Sequence, residues 1–256
     1  MRLQIRHGFE PTSTLVLTST TSIFVDIRVL KPILPEDVEE LPNKGGPARR
    51  LEWAFGGKSS SQKIGGPPIG TDNENENAET DLAPTHSIWS HWVDSKYPVA
   101  ATEIPFDEGD MYPQADGRTL EHGFAFNDKA GRILSYEEMW SDVETKACYP
   151  STSMFSIVLR VQNDAARVRG LVVRVGQFCQ GILKQGNDVT VERWEFVEQL
   201  DESENVIGGE WTRKVRVGDL FLPCAATFNP KELEVGSKVS FTDYHWVVEE
   251  LVEWTD

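Results

Sequence analysis

Between Leu15 and Val29 the large apolar residues Leu15, Leu17, Ile23, Val25, Ile27 and Val29 all stand at odd positions, while most even positions carry Thr, Ser, Asp or Arg. A period of two is the signature of extended chain with one apolar and one polar face, because successive side chains of a strand point to opposite sides of the sheet. The parity survives the interruption Ser19-Thr20-Thr21-Ser22, as it does when a tight turn joins two antiparallel strands of one sheet. A helix over this stretch would scatter the same residues around its circumference.

The second half of the chain carries the same signal with instructive breaks. In SIVLRV, Ile157, Leu159 and Val161 alternate with Ser156, Val158 and Arg160. In RGLVVRVGQFCQGILKQGNDVTVERWEF, Leu171, Val173 and Val175 hold one face and Gly176 interrupts. Downstream, Val189 and Val191 hand over to Trp194 and Phe196. A flip of parity inside a strand-like run predicts a bulge or corner, the device by which sheets curve and close. Gly186-Asn187 reads as a hairpin turn. KVSFTDYHWVVEELVEW flips in the same way around Thr242-Asp243.

One helix is expected. Ser135 and Glu138 form an S-x-x-E capping box, and Tyr136, Met139, Trp140 and Val143 fall at i, i+3, i+4 and i+7. PEDVEELP is confined by Pro35 and Pro42 to a short helical turn at most. Residues 56–84, rich in Gly, Pro, Ser, Asn and acidic side chains, read as a long mobile loop inside a first domain. The junction between two domains is placed in SDVETKACYPSTS, giving an N-terminal β-barrel over 1–147 and a C-terminal β-barrel over 148–256.

With 41 acidic against 25 basic residues, the net charge of −16 repels polyphosphates and anionic membrane surfaces, so neither nucleic acid nor membrane insertion is expected. Cys148, Cys179 and Cys224 are far apart and form no CxxC, which signals neither a disulfide framework nor a zinc ribbon. The N-terminal MRLQIRHGFEPTS lacks the apolar stretch of a signal peptide, and no segment approaches the ~20 apolar residues of a membrane span. The expected location is cytoplasmic, with the nucleus as the second compartment.

Catalytic signatures are missing from the sequence: there is no Walker motif, GxGxxG or GxSxG, and Cys179 has no neighbouring His. His86 and His91 are five residues apart and point to opposite faces of a strand, so no metal site is expected, and no cofactor is implied. Asp107-Glu108-Gly109-Asp110 lacks the rest of a calcium loop and reads as a solvated turn. Aromatic groups with polar neighbours are the stronger signal for a ligand pocket. The candidates are Glu52, Trp53, Trp89, Trp92 and Trp140 in the first half and Gln177, Gln180 and Trp194 in the second. The glutamines, if buried, need hydrogen-bond partners, and a ligand is one such partner.

LEWAFGG, SHWVDSKY, GRILSYEEMWSDVE and above all SIVLRVQNDAARVRGLVVRVGQFCQGILKQGN resemble a small fungal family, the Hri proteins, named as interactors of the Hrr casein kinase. The resemblance implies a mainly β fold of two tandem antiparallel lipocalin-like β-barrels, here with one short amphipathic helix near the domain junction. It also implies binding of a casein-kinase-I-type protein kinase and of an endoplasmic-reticulum translocation component, with no catalytic residues to carry over. The expectation is therefore a non-enzymatic interaction protein, with the acidic loop as partner or regulatory segment; Ser59 to Ser61, Thr71 and Thr80 are its phosphorylation candidates. The alternative is a carrier or cavity enzyme enclosing a small apolar ligand in one barrel.

Overall fold

The computed structural model describes residues 2–7, 11–32, 41–65, 83–99, 104, 106–127, 130–241 and 244–255. Eight strands form a closed up-and-down antiparallel barrel: β1 (Arg2–His7), β2 (Thr12–Thr18), β3 (Ile23–Leu30), β4 (Leu51–Lys63), β5 (Thr85–Asp94), β6 (Phe106–Pro113), β7 (Arg118–Asn127) and β8 (Arg132–Asp142). Pairing of β8 with β1 closes the ring. The remaining strands are β9 (Met154–Asn163), β10 (Val168–Val175), β11 (Phe178–Gln185), β12 (Asp188–Leu200), β13 (Val206–Val217), β14 (Lys238–Phe241) and β15 (Tyr244–Trp254). They build a curled seven-stranded sheet in the order β13-β12-β11-β10-β9-β15-β14. The chain is thus mainly β, in two successive antiparallel barrel-like units. Helix among the described residues is limited to short 3₁₀ turns at Ala48–Arg50, Cys224–Phe228 and Pro230–Glu232.

The odd-numbered apolar face of β2 and β3 is present, with Leu15 opposite Ile27 and Leu17 opposite Val25. It does not point into the barrel. Leu15, Leu17, Val25, Ile27 and Val29 form one cluster with Val158, Leu171, Val173, Ile182, Val191 and Val215 of the second sheet. The main core therefore lies between the outer wall of the barrel and one face of the neighbouring sheet, and each fully buried side chain there is worth about 1.5–3 kcal/mol over exposure. The even face of the same strands, Val16, Phe24, Asp26 and Arg28, lines the barrel interior. Both faces of β3 are consequently buried, which is why a charged Asp26 is only 2% exposed.

The second sheet is also buried on both sides. Ile157, Leu159, Val161, Val172, Cys179, Leu183, Trp246 and Val248 form a further cluster with Leu222 and Cys224, supplied by the segment after β13. The parity flip expected near Trp194 is a β-bulge between Arg193 and Trp194 in the pairing of β12 with β13. It leaves Arg193 facing the barrel while Trp194 turns to the second cluster. Thr242 and Asp243, the expected site of a second flip, lie outside the described residues; a register shift is present between Val248 and Glu250.

Polar side chains of the second sheet tie the two units together. Gln180 Nε2 donates to the Leu15 carbonyl at 2.9 Å and the Val25 carbonyl at 3.2 Å, and its Oε1 accepts from Arg193 Nε at 2.8 Å. Arg193 also reaches Ser13 Oγ at 2.9 Å and the Ile27 carbonyl at 2.8 Å; burial pushes its guanidinium down to about 10. Lys184 Nζ donates to the carbonyls of Asp94 and Ser95 at 3.0 and 2.7 Å. At the other end Glu250 accepts from Ser19 Oγ at 2.9 Å, Thr20 N at 3.1 Å and Thr21 N at 3.0 Å, and from Ser156 Oγ.

Three expectations need correction. The helix over Ser135–Val143 is strand β8, in which Tyr136, Glu138 and Trp140 alternate inward and Ile133 outward. Its i, i+3, i+4 spacing mixes inward Tyr136 and Trp140 with Met139 from the opposite face and Val143 beyond the strand. Pairing with β7 and β1 overrides the local capping signal. Residues 56–63, expected in a mobile loop, continue β4 and pair with β5, and Ser61 Oγ lies 2.8 Å from Ser87 Oγ. Gly57 permits this: a Cβ there would lie 1.9 Å from the Ser90 carbonyl oxygen. Asp107–Asp110 is part of β6 rather than a turn. The expected PEDVEELP turn lies mostly, and Thr71 and Thr80 lie wholly, outside the described residues.

Candidate functional site

The barrel interior holds a cavity of about 440 Å³ lined from seven consecutive strands. β2 contributes Val16; β3 contributes Phe24, Asp26 and Arg28; β4 contributes Glu52, Trp53 and Phe55; β5 contributes Trp89; β6 contributes Asp107. From β7 come Glu121 and Ala125, and from β8 Tyr136, Glu138 and Trp140. Glu52 and Ala125 are exposed and mark its opening. Beside Glu52, Lys96 Nζ lies 4.4 Å over the Trp53 ring.

The polar groups are arranged around Arg28. Its Nε and Nη2 lie 2.9 and 2.8 Å from Asp26 Oδ2, and its Nη1 lies 3.5 Å from Glu138 Oε1. Burial opposes the charge on Arg28, but Asp26 and Glu138 hold its pKa above the ordinary arginine value. For Asp26 burial dominates and raises the carboxyl pKa despite Arg28. Asp26 Oδ1 has no hydrogen-bond partner among the described residues. Across the cavity, Glu121 accepts from Tyr136 Oη at 2.8 Å and from Trp140 Nε1 at 2.7 Å. Burial raises the Glu121 pKa against those two donors, and burial together with Glu121 raises that of Tyr136.

Behind the aromatic wall, His91 stacks on Phe55 at 4.1 Å and its Nδ1 lies 2.8 Å from Asp94 Oδ2. Its Nε2 faces Asp107 Oδ2 at 3.6 Å. Burial disfavours the imidazolium, yet the carboxylates of Asp107 and Asp94, the latter hydrogen-bonded to Nδ1, outweigh it and raise the His91 pKa. Asp94 also accepts from Trp53 Nε1 at 3.0 Å, fixing that ring in the cavity wall. The set offers acceptors, charge and aromatic faces, and no nucleophile paired with a base stands among the lining residues.

Of the eight residues singled out from sequence, the structure brings four together: Glu52, Trp53, Trp89 and Trp140 line this one cavity. Trp92 does not join them. It lies at the junction with the second sheet, with the guanidinium groups of Arg160 and Arg169 at 4.3 and 5.4 Å from its ring. Gln180 finds its partners in the barrel backbone, as described above. Gln177 is engaged by the segment between the sheets, accepting from Lys146 N at 2.7 Å and donating to the Glu144 carbonyl at 2.8 Å. Trp194 Nε1 donates to Glu192 at 2.7 Å, and its ring packs edge-on against Phe228. Sequence reasoning missed Asp26, Arg28, Asp107, Glu121, Tyr136 and Glu138. The available signal was the even parity of Asp26 and Arg28, which places both on the polar face of their strand.

The matching family model is described as Protein HRI1 and covers residues 1–250. The chain belongs to the HRI1 family. Among its curated relatives, Protein HRI1 of Saccharomyces cerevisiae strain YJM789 is 25% identical over 217 residues, covering 77% of this chain and 76% of the relative. The same protein of strain RM11-1a matches equally. A crystal structure of an uncharacterized Saccharomyces cerevisiae protein, YLR301w, superposes with a TM-score of 0.64 at 20% identity, covering 98% of both chains. At that identity the likeness speaks for the fold of this HRI1 family member, and it carries the two-unit architecture from end to end.

Proposed function

We propose that this HRI1 family protein binds a small organic molecule inside its first barrel. The observation that carries the reading is the cavity itself: about 440 Å³, within the range of small-molecule sites, with aromatic walls and a few convergent polar groups held on rigid strands. A barrel of eight strands has room for one such ligand. Interior carboxylates make the site unsuited to the purely apolar ligand suggested by the sequence, because burying Asp26 and Glu138 under hydrocarbon leaves them with fewer donors. Screening a mixed library of charged and neutral metabolites by thermal shift and tryptophan emission tests the reading. A binder is expected to raise the unfolding temperature in proportion to its concentration over Kd, and to lose that effect in Ala125→Trp, which obstructs the opening. A library without binders overturns the proposal.

A second reading, a protein-interaction role with a casein-kinase-I-type kinase or an endoplasmic-reticulum translocation component as partner, in the cytoplasm or nucleus, is favoured by the outer wall of the barrel. Phe106, Phe124, Phe126 and Ile133 project outward there and are 56–66% exposed, with Phe126 directly opposite Ile133 in the pairing of β7 with β8. Exposed aromatic clusters mark contact surfaces more often than scattered single residues do. Phe124→Ser with Phe126→Ser is expected to abolish kinase capture in a pull-down with purified components while leaving the unfolding temperature unchanged. Equal capture by this variant removes the patch from the account.

A further inference from the structure

Resting on the small-molecule reading of the first barrel, a more specific conclusion follows from the charge, the unpaired acceptor and the aromatic walls taken together. We infer that the ligand is an organic cation, a protonated amine, amidine or guanidine carried on an aromatic or apolar body.

The charge inventory comes first. Among the described lining residues, Asp26, Glu52, Asp107, Glu121 and Glu138 stand against the guanidinium of Arg28. Arg28 is already matched by Asp26 Oδ2 and Glu138, so it is not a free anchor for a carboxylate or phosphate. An anionic ligand would have to displace these contacts and lie close to Asp107 and Glu121. A cation meets carboxylates and ring faces, with Arg28 held against Asp26 and Glu138.

The second observation is independent of the first. Asp26 is 2% exposed, and its Oδ1 has no hydrogen-bond partner among the described residues. Buried acceptors of this kind are almost always paired, and a charged donor makes the stronger bond to a carboxylate oxygen. The third is the wall. Trp53, Trp89, Trp140 and Tyr136 surround the carboxylates, and ring faces attract cations. The protein already uses this mode with its own side chains: Arg28 lies 5.7 Å from the Trp53 ring centre and 5.6 Å from that of Phe55. Burial raises the pKa of both Asp26 and Glu121, and a bound cation would offset that cost for the ionised carboxylates.

Three probes sharing one phenyl frame separate the possibilities on the full chain: phenethylamine, 2-phenylethanol and phenylacetate, followed by ligand-observed NMR and tryptophan emission. Phenethylamine is expected to bind at least about tenfold more tightly than either of the others. Asp26→Asn is expected to weaken phenethylamine about tenfold and leave 2-phenylethanol unaffected. Glu52→Gln, at the exposed rim where folding is not at stake, should weaken it by about threefold. Equal or tighter binding of 2-phenylethanol or phenylacetate, or no binding of phenethylamine at millimolar concentration, overturns the assignment of a cation. If neutral or anionic compounds from the wider screen still bind in an Ala125→Trp-sensitive way, the small-molecule reading survives that loss; only a screen without any binder removes both.

Discussion

Glu250 concentrates more of the contact between the two units than any sequence pattern suggested. One carboxylate accepts hydrogen bonds from the Ser19–Thr21 turn of the barrel and from Ser156 of the second sheet. Burial opposes its charge, but the hydroxyl donors of Ser156, Thr21, Ser19 and Thr20 outweigh burial and lower its pKa below the ordinary 4.5. A depressed carboxyl pKa stabilises the fold above the ordinary value, and the contribution is lost as pH falls through the folded value. Glu250→Gln is expected to lower stability by about 1–3 kcal/mol at neutral pH. In urea unfolding curves, its deficit against the parent protein should shrink steadily below pH 4.5. His91 behaves in the opposite sense. Its pKa is raised above the ordinary 6.5, so its ion pairing stabilises fully below that value and is lost as pH climbs through the folded value. An NMR titration of the His91 ring should place its midpoint above 6.5; a midpoint below it would remove the Asp94–His91 ion pair from the account.

At the scale of strands, the close approach of β4 and β5 depends on Gly57, where an added methyl would collide with the backbone oxygen of Ser90. Backbone cannot yield as a flexible side chain can. Gly57→Ala is expected to cost about 3 kcal/mol or more, read as a lower denaturant midpoint. Strand identity was largely legible in the sequence wherever parity was clean: β2, β3, β9 and β10 stand where alternation placed them, and the bulge at Trp194 was visible as a change of phase. The direction in which those strands face was not legible. Alternation says that two faces differ, but it does not say which one meets a partner sheet, and nothing local to Asp26 and Arg28 records that β3 is covered on both sides. β8 was misread for a related reason, since Tyr136, Met139 and Trp140 satisfy a helical spacing as readily as an extended one. Trp53, Trp89 and Trp140 were visible because tryptophan is conspicuous at any parity, and Glu52 because it stands beside Trp53; the other carboxylates were lost among the many acidic residues of the chain.

Considered as a whole molecule, the barrel and the second sheet share one apolar core, so neither half is expected to stand alone. Residues 1–147 expressed separately would expose Leu15, Leu17, Val25 and Ile27, and residues 148–256 would expose Leu171, Val173 and Ile182. Both pieces should bind a hydrophobic dye or precipitate, and the intact protein should unfold in one calorimetric transition whose van 't Hoff and measured enthalpies agree. Two separated transitions would contradict the shared core. A barrel of this construction is anchored from outside, by the apolar staves it presents to its neighbour. Its lumen, where Phe24, Phe55, Met111 and Trp140 pack, carries only part of the task of holding the protein together. Within one lineage such vessels can keep their outline while the residues of their interior change.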